Sequence, residues 1–187
     1  KIIIKNAIFN EKNRSGQIYL IVPKVKDIQA IHKRILSIYP KLRIGIAHGK
    51  LSSNELEVVM DHFYNYKIDL LISTTIVEAG LDIPRANTLI VYKSDYFGLA
   101  QLHQLRGRIG RSDKKAYAYF TLENNNISGN AVRRLKALQT MDTLGAGMQL
   151  ANYDLDIRGA GNLLGEEQSG QITQVGIEMY QRLLKEC

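Results

Sequence analysis

Only one cysteine, Cys187, occurs in the 187 residues. A disulfide framework needs at least two, and a cysteine metal cluster needs more, so both are excluded. The sequence also lacks any apolar run near the ~20 residues that span a bilayer, and its first residues do not have the layout of a signal peptide. The expectation is a cytoplasmic chain with no membrane partner. No internal repeat is present. What is there is ordinary globular material, 45% hydrophobic and 23% charged, enough for one substantial core and an appendage.

Charge is unevenly spread. Residues 1–122 hold 19 Lys and Arg against 10 Asp and Glu, a net of +9; residues 123–187 hold 6 against 8, a net of −2. A basic first part points to nucleic acid or nucleotide phosphates. A solvated, lysine-rich surface explains the same balance.

Strand-like and helix-like patterns alternate along that first part. "QIYLIVP" (17–23) is a short apolar run ended by Pro23, as expected of a strand buried on both faces. Val25, Ile28, Ile31, Ile35 and Ile38 then recur at helical spacing, and the helix should stop before Pro40. "RIGIAHG" (43–49) reads as the next strand. Ser52 or Ser53 can cap a helix that carries Leu56, Val59, Met60 and Phe63 on one side. "IDLLIST" (68–74), "TLIVYK" (88–93) and "AYAYFTL" (116–122) are further strands. This order predicts a parallel α/β sheet with right-handed crossovers. The opening "KIIIKNAIF" reads either as another strand or as the end of an upstream segment.

The texture changes after Glu123. "NNNISGN" (124–130) is a loop by composition, followed by a helical run, "AVRRLKALQTMDTL", with Leu135, Leu138 and Met141 on one face. A glycine-rich stretch (144–171) and a last helix, "VGIEMYQRLLKE", complete the chain. This part is too short and glycine-rich to hold its own core, so it should pack on the sheet domain. The expected domains are therefore 1–122 and 123–187.

Ligands of parallel α/β sheets collect outside the carboxyl ends of the strands. At one such exit, "TTIVEAGLDIP" (74–84) places Thr74, Thr75, Gly80 and Asp82 in a polar, tightly turning loop. Threonine hydroxyls and backbone N–H groups there can hold phosphate or ribose, and Asp82 can accept from a hydroxyl or orient an arginine. The same residues also read as a helix cap at Thr75 and a turn cap at Asp82 before Pro84. After the next strand, "FGLAQLHQLRGRIGR" reads as a helix with Gln104, Arg108 and Arg111 at i, i+4 and i+7, hence on one face. Arginines repel one another, and Gly107 and Gly110 weaken the helix, so the stretch calls for an anionic partner. The guanidinium fork matches phosphate oxygens, and the glycines leave room for a large ligand or another domain to approach.

Two nucleotide-hydrolysis elements are absent. "GIAHGKLS" (45–52) contains a Gly-Lys pair, but its spacing is one residue short of a P-loop, and Leu51 stands where Ser or Thr is required. No acidic strand-end motif for Mg²⁺ accompanies it. Hydrolysis by this chain alone is not expected.

These stretches resemble superfamily 2 helicases and translocases. "STTIVEAGLDIP" is similar to motif V, "QLHQLRGRIGRS" to motif VI, and "IYLIVP" with "RIGIAHGKLS" to earlier motifs of the same second RecA-like domain. "DTLGAGMQLANYDLDIRGAGNLLGEEQSG" resembles the translocation motif shared by RecG-type branch-migration helicases and bacterial transcription-repair coupling factors, and its wording sits closer to the latter. The resemblance covers nearly the whole chain. It implies a RecA-like parallel β-sheet flanked by helices over 1–122 (motifs IV–VI), with a helical hairpin, glycine-rich loop and terminal helix over 123–187.

The resemblance also implies residue roles. ATP with Mg²⁺ would lie between two RecA-like domains, the metal held mainly by a first domain outside these residues. Gln104, Arg108, Arg111, Gly80 and Asp82 would line the ATP site. Arg108 and Arg111 would face the γ-phosphate, Arg111 as the arginine finger. Thr74 and Thr75 would touch the DNA backbone, and Arg134, Arg158 and Gln168 would couple hydrolysis to translocation. Double-stranded DNA, the first RecA-like domain, RNA polymerase and excision-repair proteins are the implied partners, the last two through modules outside this chain. The implied function is the second motor domain of a translocase that displaces stalled RNA polymerase and couples transcription to excision repair. A RecG-like fork-remodelling fragment and a non-catalytic DNA- or protein-binding module are the alternatives.

Overall fold

The computed structural model describes residues 2–74, 86–110, 115–123 and 129–140. The chain divides into two compact units, Lys1–Phe97 with Gln101–Asn125, and Gly98–Ala100 with Asn126–Cys187.

In the first unit, five parallel strands form one sheet: β1 (Gln17–Val22), β2 (Ile44–Ala47), β3 (Leu70–Thr74), β4 (Ala86–Val91) and β5 (Tyr117–Phe120), in the spatial order β2-β3-β1-β4-β5. Every residue of β1, β3 and β4 is buried, as an apolar run covered on both faces requires. Leu20 of β1 lies between Ile72 of β3 and Ile90 of β4 in register. This is the parallel α/β sheet expected from the alternating pattern, and the RecA-like arrangement that the resemblance implies. The strand order itself is not readable from that pattern.

Helix α1 (Ile2–Asn13) replaces the strand considered for the opening residues. The isoleucine run favours strand locally, but Ile4, Ala7, Ile8 and Glu11 repeat at i, i+3, i+4 and i+7. Ala7 and Ile8 are buried in a core shared with Ile18, Leu20 and Val22 of β1 and Ile90 of β4. Helix α2 (Val25–Ile38) adds Ile28, Ile31 and Ile35 to that core, the spacing read from the sequence.

Helix α3 (Ser53–Tyr64) begins with a reciprocal capping box. Ser52 Oγ accepts from the Glu55 backbone N–H, while Glu55 accepts from the Ser52 backbone N–H at 2.8 Å. Ser52, not Ser53, is therefore the cap. The Gly49-Lys50 pair lies in a turn closed by the Leu51 N–H donating to His48 O at 3.0 Å, ahead of the helix and not at its start. This agrees with the rejection of a P-loop there.

Beyond β4, a 3₁₀ turn (Ser94–Tyr96) leads into α4 (Leu99–Arg106). In the second unit the described element is α5 (Gly129–Thr140); Met141 lies outside the described residues. Of the segment 123–187 expected to pack on the sheet, residues 141–187 lie outside the described residues.

Candidate functional site

The strand order sets a topological switch point. β1 sends its connection toward β2, whereas its neighbour β4 sends its own toward β5. Where adjacent strands diverge in this way, a cleft opens outside their carboxyl ends.

Charged side chains meet at that switch point. Lys93, directly after β4, places Nζ 2.6 Å from Glu123 Oε1 and 3.2 Å from Asp27 Oδ1. Asp27 belongs to the first turn of α2, and Glu123 follows β5, so one ammonium joins three strand exits. Tyr96 donates its hydroxyl to the other Glu123 oxygen, and Lys24 Nζ lies 5.1 Å above the Tyr96 ring. The hydrogen bond to Glu123, reinforced by Asp27, raises the Lys93 pKa above the ordinary lysine value. Glu123 is held below the usual carboxylate range by Lys93 and then Tyr96. The Tyr96 phenol is raised by its hydrogen bond to Glu123 and then by the Glu123 charge. The sequence reading missed this group. Its signal was present as a charged residue soon after each of three strand runs: "VPKVKD", "VYKSD" and "TLEN".

The neighbouring exits carry polar atoms without hydrogen-bond partners among the described residues: His48 Nδ1 after β2 and Thr74 Oγ1 at the end of β3. Thr74 is buried, so its hydroxyl points out of bulk solvent. Thr75, Gly80 and Asp82 lie outside the described residues.

The arginine stretch differs from the expected single helix. α4 stops at Arg106, with Leu99, Leu102 and Leu105 buried and Gln104 exposed. The Gly107 N–H still reaches His103 O at 3.0 Å, but the Arg108 N–H bonds Leu105 O at 3.2 Å, a tightening of the last turn toward 3₁₀ geometry. Arg108 is half-buried on that turn, so it does not share a continuous helical face with Gln104. The two glycines play different parts. Gly110 has φ +80°, a conformation that disfavours any side chain, whereas a Cβ on Gly107 would meet only ordinary contacts at 3.6 Å. His103 is pushed below its usual pKa by burial and then by Arg106. Arg111 lies outside the described residues.

On α5, Arg134 is half-buried and shares its face with the buried Ala131, Ala137 and Leu138 at offsets of three and four. An arginine on the inward face of its helix is not a freely solvated one. Arg158 and Gln168 lie outside the described residues.

Residues 1–113 match the family described as the helicase conserved C-terminal domain. The chain is 48% identical over 186 residues, 99% of its length, to the transcription-repair-coupling factor of Rickettsia bellii (strain RML369-C), spanning 17% of that protein. It is 46% identical over 184 residues, 98% of its length, to the transcription-repair-coupling factor of Escherichia coli (strain K12), spanning 16% of it. The chain thus spans about a sixth of the length of these curated relatives. Among solved structures, RecG bound to a three-way DNA junction is similar with a TM-score of 0.71 and 30% identity, over 96% of this chain and 24% of that one. The C-terminal domain of the DEAD-box protein Dbp5 shares the fold, with a TM-score of 0.55 at 22% identity over 66% of this chain and 68% of that one.

Proposed function

The chain belongs to the helicase conserved C-terminal domain family, and from that premise we propose that it is the second motor domain of an ATP-dependent double-stranded DNA translocase of the transcription-repair coupling type. One observation carries this reading. Identity to coupling factors of 46–48% extends over at least 98% of the chain, well past the family match that ends at residue 113. Residues 123–187, taken as the translocation-motif segment beside a motor domain of 1–122, are therefore part of the likeness.

The chemistry follows from which groups this chain has and which it lacks. Its arginines and the exposed Gln104 suit one wall of a nucleotide cleft; its sequence has no P-loop to form the other. Gln104, Arg108, Arg111, Gly80 and Asp82 would hold the nucleotide from this side, and Mg²⁺ would be held mainly by a P-loop-bearing partner domain. When bound, ATP supplies the phosphoryl group whose transfer drives the motor. Arg111 stabilises the negative charge that develops in that transfer, an effect worth roughly 10³–10⁵ in rate for an arginine finger. Arg108 orients the same phosphates.

Thr74 and Thr75 would be the contacts to a DNA backbone. The Thr74 hydroxyl and His48 Nδ1, without hydrogen-bond partners among the described residues, support a polar ligand along that edge. Contacts to phosphate carry no sequence preference, as a translocase requires. In the intact protein the motor would act on DNA to displace stalled RNA polymerase and admit excision-repair proteins.

Arg111→Ala in the intact motor tests the reading. Hydrolysis should fall through kcat while nucleotide binding and fold persist; hydrolysis near the parent rate would place the finger elsewhere. The likeness to junction-bound RecG favours a second reading, a fork-remodelling motor. Removal of a stalled polymerase against regression of a model fork, measured on one preparation, separates the two.

A further inference from the structure

We propose that Lys93 is a positioning residue of the motor. By bridging Asp27 and Glu123 it fixes the turn after β4 that sets the phase of α4, and with it the placement of Gln104 and Arg108. The proposal deepens the motor reading and rests on it.

The first observation is backbone strain. Among the described residues, three non-glycine positions have positive φ: Ser15 at 54°, Tyr66 at 57° and Lys93 at 53°. Two have an ordinary explanation as left-handed residues of helix C-caps. The Ser15 and Gly16 N–H groups return to Lys12 O and Glu11 O after α1, and those of Tyr66 and Lys67 return to Phe63 O and His62 O after α3. Lys93 ends no helix. It follows a buried strand, carries a Cβ into the left-handed region and bears a penalty of roughly 1–2 kcal/mol. Such a conformation persists only where its surroundings over-determine it.

They do so at both ends of the turn. The Lys93 N–H donates to Thr121 Oγ1 at 3.3 Å, and Ser94 donates to Thr121 O through both its N–H at 2.7 Å and its hydroxyl at 3.0 Å. The Tyr96 hydroxyl and Lys93 Nζ then divide the two Glu123 oxygens between them. Residues 93–96 are in this way pinned to residues 121–123, and the ammonium also reaches α2 through Asp27. Removing the ammonium would leave two carboxylates facing one another at the exits of β1 and β5 with their shared cation gone. The Asp27 side chain is 12% exposed, so water screens it poorly.

The consequence falls on α4. Phe97 and Leu99, immediately after the turn, are buried, so the turn passes straight into a packed helix start. Successive helical residues are rotated by about 100°, so a slip of one residue would carry Gln104 from the exposed side toward the buried one. A displacement of about 1 Å in a reacting group can lower a rate by roughly 10²-fold.

The experiment uses the intact motor and four single variants: Lys93→Gln, Lys93→Gly, Lys93→Arg and Arg108→Ala. DNA-stimulated ATP hydrolysis gives kcat and KM, and thermal melting is followed on the same preparations. Lys93→Gly relieves the backbone strain while losing the charge, so it should melt near the parent. Both Lys93→Gln and Lys93→Gly should lose kcat by about 10- to 100-fold with KM for ATP within about twofold. Lys93→Arg keeps a cation for both carboxylates and should recover most of the rate. Parent-like turnover in Lys93→Gly, or rate losses that merely track melting temperature with no rescue by arginine, would overturn the proposal. If Arg108→Ala is inactive while Lys93→Gly and Lys93→Gln turn over normally, the motor reading stands and only the positioning role falls. A parent motor without DNA-stimulated hydrolysis would remove both.

Discussion

Thr88 on β4 donates its hydroxyl to Oε2 of Glu11 on α1 at 2.5 Å, a contact that spans 77 positions of sequence and is buried at both ends. Arg14 shares that carboxylate oxygen at 2.5 Å, donates to Lys115 O at 2.9 Å and lies 4.9 Å over the Tyr117 ring. The second Glu11 oxygen is buried without a hydrogen-bond partner among the described residues. Thr88→Val keeps the shape and removes the donor, so it should lower stability by about 1–3 kcal/mol. A urea midpoint lowered at constant m-value checks this.

Gly16 closes against the same carboxylate. A Cβ there would sit 1.7 Å from Glu11 Oε1 and 2.7 Å from Cδ. The glutamate is tied by Thr88 and Arg14 and cannot swing aside without breaking those bonds. Gly16→Ala should therefore destabilise by about 1–3 kcal/mol. Added to Glu11→Ala it should have less effect than it has alone, because the obstructing group has gone. Strict additivity would mean that the clash is not what makes glycine necessary.

The cap of α3 is a smaller, local determinant. Ser52→Ala removes the acceptor for the Glu55 N–H and should reduce stability by about 1 kcal/mol. For a chain of this length that corresponds to a melting temperature lower by about 2–4 °C. Ser53→Ala should leave melting unchanged, since Ser53 is already inside the helix.

Acid stability should fall in two windows. Burial pushes His103 below its ordinary value and Arg106 adds to this, so folding favours the neutral ring. Its contribution is full above about pH 6.5 and shrinks as pH drops through that value toward the folded-state pKa. Asp69 behaves differently: burial raises its pKa, but hydrogen bonds from Arg43 outweigh this and leave it lowered. Its contribution is present above about pH 4 and lost as pH falls through the lower folded-state value. Urea midpoints between pH 7.5 and 2.5 should show both limbs, with His103→Gln flattening the upper and Asp69→Asn the lower.

The last prediction concerns coupling. If Arg158 and Gln168 link hydrolysis to movement, Arg158→Ala or Gln168→Ala in the intact motor should keep ATPase activity and abolish displacement of a triplex-forming strand. Arg134→Ala should act in the same direction, with some loss of stability because its side chain is half-buried. Equal loss of both activities in a variant that melts like the parent would make these residues part of the ATP site.

The amino-acid sequence alone determined whatever depends on neighbours a few positions apart. The runs that became β1, β3 and β4 are legible because a strand buried on both faces is mostly apolar, and α2 is legible because Ile28, Ile31 and Ile35 repeat at its period. A serine cap at 52 or 53 and the arginine-glycine stretch are equally local, the structure choosing Ser52. Even so, three isoleucines at the start concealed α1, whose helical identity depends on Ala7 and Ile8 finding the core of β1 and β4. Only the tertiary structure decided that β1 lies between β3 and β4, that α4 ends at Arg106, and that Asp27, Lys93 and Glu123 meet. The physical reason is range. Periodicity and capping act through bonds within a turn or a strand, whereas an ion pair linking residues 27, 93 and 123 exists only after sheet pairing has brought three strand ends to one edge.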